Sequence, residues 1–249
     1  MSKLDYDFAP RIGARATMGL IALSTDETIE PELGRIFPRD AVATYVSRIA
    51  FAEQVSPDTL REMEAGLPAS AALLPLSAEF DVIGYGCTSG ATMIGPARIA
   101  ELISGTTGAA HVTDPITAVI AALRALNAGR IGFITPYVAD VSAPMRAVLE
   151  QAGIDIAHFA SFEEPDDPKV ARISPAAIKS AILKVAATAP AEAIFVSCTN
   201  LRALDVIAEA EAEIGIPVIS SNQALAWHMM RLAGLSERMP DCGALLRDA

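Results

Sequence analysis

Two stretches decide the reading: Asp81-Val-Ile-Gly-Tyr-Gly-Cys87-Thr88-Ser89 and Glu192-Ala-Ile-Phe-Val-Ser-Cys198-Thr199-Asn200. Each is an acidic residue, a short apolar run and a Cys-Thr pair. The apolar runs have the length and composition of strands buried on both faces, as in parallel sheets. The two cysteines lie 111 positions apart. A second pair of motifs recurs at nearly the same interval: Gly19-Leu-Ile-Ala-Leu23 and Gly132-Phe-Ile-Thr-Pro136 begin 113 positions apart. Two motifs repeated in one order at nearly one interval predict two equivalent lobes. Two copies are too few for a repeat array.

Working outward, strands are expected at 18–23, 80–85, 131–135, 154–159, 193–197 and 217–220, with a short one within 108–113. Helical stretches fall between them at 57–74, 95–104, 115–126, 142–151, 175–187, 201–214 and 223–232. Ser56-Pro57 and Ser174-Pro175 place a cap before a proline at the first helical position. Gly153, Gly215 and Gly234 sit where helices should end. Apolar strands alternating with helices imply an α/β fold with parallel sheets. The expected architecture is two similar Rossmann-like lobes related by a pseudo-twofold, with the site in the cleft between them. Residues 1–112 and 220–249 would form the first lobe, the C-terminal segment returning to it, and residues 113–219 the second.

Composition supports a globular reading. The chain has 249 residues, 52% hydrophobic and 20% charged, so it can bury a large core. Only 5% are aromatic, and Ala, Val, Ile and Leu must build that core. The formal charge of −11, without a cluster of Lys and Arg, argues against a nucleic-acid partner. No 18-residue apolar run suggests a membrane span, and the first 15 residues do not read as a targeting segment. Three cysteines without close spacing make neither a disulfide framework nor a zinc site. A reducing, cytoplasmic setting is expected.

Cys87 and Cys198 both follow a strand. Ligands of open parallel sheets bind outside the carboxyl ends of strands, so both thiols stand where a site belongs. The residues after them supply hydroxyls, an amide and backbone N–H groups, which suit a carboxylate. A helix N-terminus there is expected to lower a thiol pKa. Abstracting a proton next to a carboxylate needs a base and donors for the enolate. Thiols on two faces permit racemisation; addition of a thiolate to a double bond permits cis–trans isomerisation. The plainer alternative is two small buried residues at strand ends. Their matched Cys-Thr contexts favour function. Cys242 reads as an exposed or packing thiol, and His111, His158 and His228 as structural or surface groups. Met229-Met230 reads as core, and the run from Glu163 to Pro168 as a solvated loop. Gly84-x-Gly86-x-x-x-Gly90 has the wrong spacing for a dinucleotide loop.

These motifs resemble the aspartate/glutamate racemase superfamily, in particular its maleate cis–trans isomerase and arylmalonate decarboxylase branch. The likeness runs from about Gly19 to Gly234. It rests on Gly86-Cys87-Thr88-Ser89-Gly90, Pro136-Tyr137 and Ser197-Cys198-Thr199-Asn200. It implies a cofactor-independent enzyme with no metal, in which Cys87 is the nucleophile and Cys198 the second acid/base. Thr88, Ser89 and Tyr137 would hold one substrate carboxylate, with Thr199 beside Cys198. Arylmalonate decarboxylases carry glycine at the position of Cys87, so two thiols favour an isomerase or racemase. Decarboxylation through Cys198 alone and a non-catalytic binding protein are the alternatives. A homo-oligomer would be ordinary for such a fold.

The chain departs from maleate isomerases at two positions where they carry asparagine. Asp26 and Asp167 stand there instead. Both asparagines would face the second carboxylate of maleate, and a carboxylate there would repel it. This points to a substrate with a carboxylate at one end and an amine or neutral polar group at the other. Alternatively, Asp26 caps a turn and Asp167 lies in a solvated loop. The opening Leu23-Ser-Thr-Asp-Glu-Thr-Ile-Glu30 and the close Ser220-Ser-Asn-Gln-Ala-Leu-Ala-Trp-His228 are also similar to a subgroup linked to ectoine utilisation, which would suit a diaminobutyrate-like substrate.

Overall fold

The computed structural model describes residues 3–249. Its strands form two four-stranded, all-parallel sheets, and the repeat in the sequence is a repeat in topology. The first sheet is ordered β2-β1-β3-β4, from β1 (Ala16–Leu23), β2 (Val42–Ile49), β3 (Val82–Gly86) and β4 (His111–Thr113). The second is ordered β6-β5-β7-β8, from β5 (Arg130–Thr135), β6 (Asp155–Ser161), β7 (Ala193–Val196) and β8 (Val218–Ser220). The apolar runs occupy inner strands: β3 and β7 are buried throughout, as strands covered on both faces must be. Phe133 and Phe195 stack at 5.4 Å in the core of the second lobe.

Both expected Ser-Pro caps are present. Ser56 Oγ accepts from Thr59 N–H in α2 (Pro57–Ala71), and Ser174 Oγ from Ala177 N–H in α8 (Pro175–Thr188). Beyond several short helices, one longer helix and one strand lay outside the sequence expectation. Helix α1 (Ile29–Ile36) carries Pro31 in its first turn, where no N–H is missed, and Gly34 near its end. Strand β2 is an edge strand whose Tyr45, Arg48 and half-exposed Val46 blur the apolar pattern. The helix expected at 201–214 begins only at α9 (Ile207–Ile214), because 199–206 is an irregular segment bonded to the other lobe. Helix α10 (Ser221–Leu232) packs on α1, β3, β4 and on α5 (Pro115–Ala125). The chain after β8 thus returns to the first sheet. Among the described residues no helix is long and apolar enough to cross a membrane.

Candidate active site

Cys87 ends β3 as the N-cap of α3 (Thr88–Ile94), and its Sγ accepts from Gly90 N–H at 3.2 Å. Gly90 is required here: a Cβ would come within 2.5 Å of the Tyr85 hydroxyl and 3.0 Å of Cys87 Sγ. Cys198 lies just past β7. Its φ is +127°, a conformation that costs an L residue on the order of 1–3 kcal/mol and persists only when its surroundings enforce it. Its Sγ lies 3.1 Å from the Tyr137 hydroxyl and accepts from Asn200 N–H at 3.3 Å.

The two turns meet. Thr199 Oγ1 donates to the Gly86 carbonyl at 3.3 Å, and Thr88 Oγ1 donates to Ser221 Oγ at 2.8 Å. Ser221 Oγ in turn accepts from Cys198 N–H at 3.0 Å. Both thiols are sealed from solvent, with Cys87 5% and Cys198 3% exposed. The seal is made by chain from both lobes. Gln54 and Asp166 form an antiparallel bridge, Val55 N–H donates to the Pro165 carbonyl, and Asp167 N–H to the Glu53 carbonyl. Arg172 and Glu27 add an ion pair at 3.0 Å on the outside. A cavity of about 530 Å³ between α1 and residues 239–242 is a separate feature; neither Cys87 nor Cys198 lines it.

The two aspartates are both buried, but they are held differently. Asp167 is 1% exposed, so it does not lie in solvent, although Glu163 at the start of the same run is exposed. The Asp167 carboxylate accepts from Thr25 at 2.6 Å, Asn200 Nδ2 at 3.1 Å and the Tyr137 hydroxyl at 3.2 Å. These donors were worth more than water, so the segment folds inward. Asp26 does cap a turn, with Oδ1 accepting from Thr28 and Ile29 N–H, both at 2.8 Å. Its Oδ2 is buried and makes no hydrogen bond of normal geometry, although the Thr199 hydroxyl lies near enough to favour the carboxylate; the Ser89 hydroxyl is buried without a partner. Tyr137 is engaged by Asp167 and Cys198, and Thr88 by Ser221.

Electrostatics corrects one expectation. Burial, then the charge of nearby carboxylates, pushes Cys87 up to about 12 against the bonds from Gly90 and Ser89 N–H. Cys198 is likewise raised well above the usual thiol value by burial and by Asp167 and Asp26. The short helix does not overcome desolvation. Asp26 itself is pushed up to about 6 by burial, and Asp167 is raised for the same reason. Among the described residues no cluster of three or more His, Cys, Asp or Glu side chains could hold a metal. Cys242 is buried and serves packing, as do Met229 and Met230. His228 bonds Thr113 at 2.8 Å.

The sequence reading missed Ser221 and did not single out Asn200 beyond its motif. Asn200 touches Asp167, Cys198, Thr25 and Glu27. Only its place after Cys-Thr hinted at this. Ser221 had only its place in the quoted C-terminal motif.

The arylmalonate decarboxylase family model matches residues 80–246. A maleate isomerase of Nocardia farcinica is 28% identical over 239 residues, covering 92% of this chain and 95% of the relative. An arylmalonate decarboxylase of Bordetella bronchiseptica is 34% identical over 123 residues, covering 49% of this chain and 51% of that protein. Among solved structures, a cysteine-to-serine mutant of Nocardia farcinica maleate cis-trans isomerase with a covalently bound succinylcysteine intermediate superposes with a TM-score of 0.83. It is 27% identical and covers 94% of this chain and 99% of that one.

Proposed function

This chain belongs to the arylmalonate decarboxylase family, and from that premise we propose that it is a cofactor-independent isomerase or racemase acting at the carbon next to a carboxylate. One observation carries the reading: equivalent turns of the two lobes, bonded to each other through Thr199, Thr88 and Ser221, bury Cys87 and Cys198 near the same two carboxylates. One thiolate takes the α-proton, and the carboxylate receives the charge as an enolate. The other thiol gives its proton to the opposite face and is left as the thiolate, so atoms and charge balance in the step and the enzyme ends in the opposite protonation form, ready for the reverse direction or for reset by solvent.

The substrate carries an amine as well as a carboxylate. Supporting this is the unpartnered Oδ2 of Asp26, a buried acceptor that an ammonium would satisfy. The unpartnered Ser89 hydroxyl would serve the carboxylate, while the Thr88, Tyr137 and Thr199 hydroxyls are engaged by Ser221, Asp167 and the Gly86 carbonyl. Asp167, already holding three donors, organises Tyr137 and Asn200. An ammonium at Asp26 would also remove part of the repulsion that raises both thiols, so the substrate itself would ready them.

The same reading makes this a cytoplasmic homo-oligomer, in keeping with its unpaired cysteines and its fold, and the two motifs quoted above support a role in ectoine utilisation. It treats residues 1–112 with 220–249 as one lobe and 113–219 as the other, supported by the packing of α10 on β3 and β4. Proton NMR in heavy water tests the activity, using diaminobutyrate derivatives, aspartate and glutamate beside maleate and arylmalonates. Cysteine-dependent deuterium uptake at an α-carbon is the expected result. No uptake or conversion with any compound would contradict the reading, and maleate turned over as well as the amino acids would remove the amine. The family match favours one second reading, decarboxylation through Cys198 alone. In that case Cys87→Ala leaves activity largely intact.

A further inference from the structure

We propose that Ser221 is the positioning residue that ties the two cysteine turns together and holds the Cys198 turn in place against that of Cys87. The inference rests on the two-thiol reading above. Ser221 is the first residue of α10 and is fully buried. It is not needed to cap that helix. Ser220 does so, accepting from Gln223 N–H at 3.1 Å in a reciprocal capping box. The Ser221 hydroxyl is left to accept from Cys198 N–H at 3.0 Å and from the Thr88 hydroxyl at 2.8 Å.

Each bond has a consequence. Cys198 holds a φ of +127°, and its backbone N–H is taken by Ser221 instead of a strand carbonyl. Next to it, Asn222 Nδ2 donates to the Thr199 carbonyl at 2.7 Å, so the start of α10 clamps residues 198–199 from two sides. Through Thr88 the same oxygen reaches the residue after Cys87, in the other lobe. Removing it orphans a buried N–H at a strained residue and frees the Cys198 turn. Cys87 keeps the bond from its own backbone N–H to the Tyr85 carbonyl at 3.1 Å, whereas the backbone N–H of Cys198 loses its partner. The effect is therefore one-sided.

The test compares S221A and S221T with the wild-type chain by two measurements. The first is iodoacetamide alkylation of the folded protein, with Cys87 and Cys198 resolved by peptide mass spectrometry. We expect S221A to speed alkylation of Cys198 several-fold while Cys87 keeps its rate, and S221T, which retains the oxygen, to restore the wild-type pattern. Unchanged rates, an equal change at both thiols, or a change in S221T as large as in S221A would overturn the proposal. The second is turnover: kcat for α-carbon inversion should fall by about 10²-fold in S221A, as expected for a misplaced acid/base, with KM nearly unchanged. A rise in KM at constant kcat would also overturn it. If the wild-type chain inverts no substrate, the two-thiol reading fails, and the alkylation pattern still decides the role of Ser221.

Discussion

Asp26 is the residue at which stability and function oppose each other. Burial lifts its carboxyl from 3.8 to about 6, so ionising it inside the folded protein costs on the order of 3 kcal/mol. Its folded pKa lies above the unfolded one. The stability it contributes is therefore full below pH 4 and is lost as pH rises through about 6. D26N keeps an acceptor for Thr28 and Ile29 N–H and removes the charge. It should be more stable than wild type by on the order of 1–3 kcal/mol at pH 8 in urea denaturation, with the gain vanishing below pH 4. An equal effect at both pH values would contradict the assignment. Turnover of an ammonium substrate should fall in the same variant. Asp26 and Cys87 were legible as candidates because they sit in local motifs. The roles of Asn200 and Ser221 were not: each acts through hydrogen bonds to residues more than 20 positions away, and a lone polar side chain carries no spacing signal.

At the scale of elements, the strand-to-helix turn at Cys87 depends on a missing side chain. Ala at position 90 would push its Cβ against Tyr85, Met63 and Cys87 Sγ. Overpacking of this kind costs about 1–3 kcal/mol, so G90A should lower the urea midpoint and remove activity. A variant with unchanged stability and turnover would show that the turn has room to spare. The inner strands and most helices were readable because apolar runs and Ser-Pro caps are local signals. Strand β2, half-exposed at a sheet edge, and α1, only eight residues long and containing Pro31 and Gly34, were not. The turn at 201–206 looked helical by composition. Its backbone instead follows tertiary partners such as Glu32, whose buried carboxylate accepts from Leu204 N–H.

At the scale of the molecule, the lobes close on each other through a few backbone bonds between residues 53–55 and 165–167. Substrate entry is expected between these segments. The amides of Val55 and Asp167 should therefore exchange with solvent faster than those of β1 and β5, because opening breaks them and leaves the sheets intact. Exchange as slow as in the sheets would mean that entry lies elsewhere. The repeat of strand, cysteine and threonine announced two lobes in the sequence; the seal, a tertiary feature, had no such trace.

The central claim is that Cys87 and Cys198 act on opposite faces of one carbon. Its most direct measurement is deuterium incorporation into each pure enantiomer of the substrate by C87S and C198S, followed by NMR and chiral chromatography. The account predicts that neither variant inverts the carbon, and that each still exchanges the α-proton of one enantiomer, a different one for each variant. Inversion surviving in C87S, or both variants exchanging the same enantiomer, would contradict it.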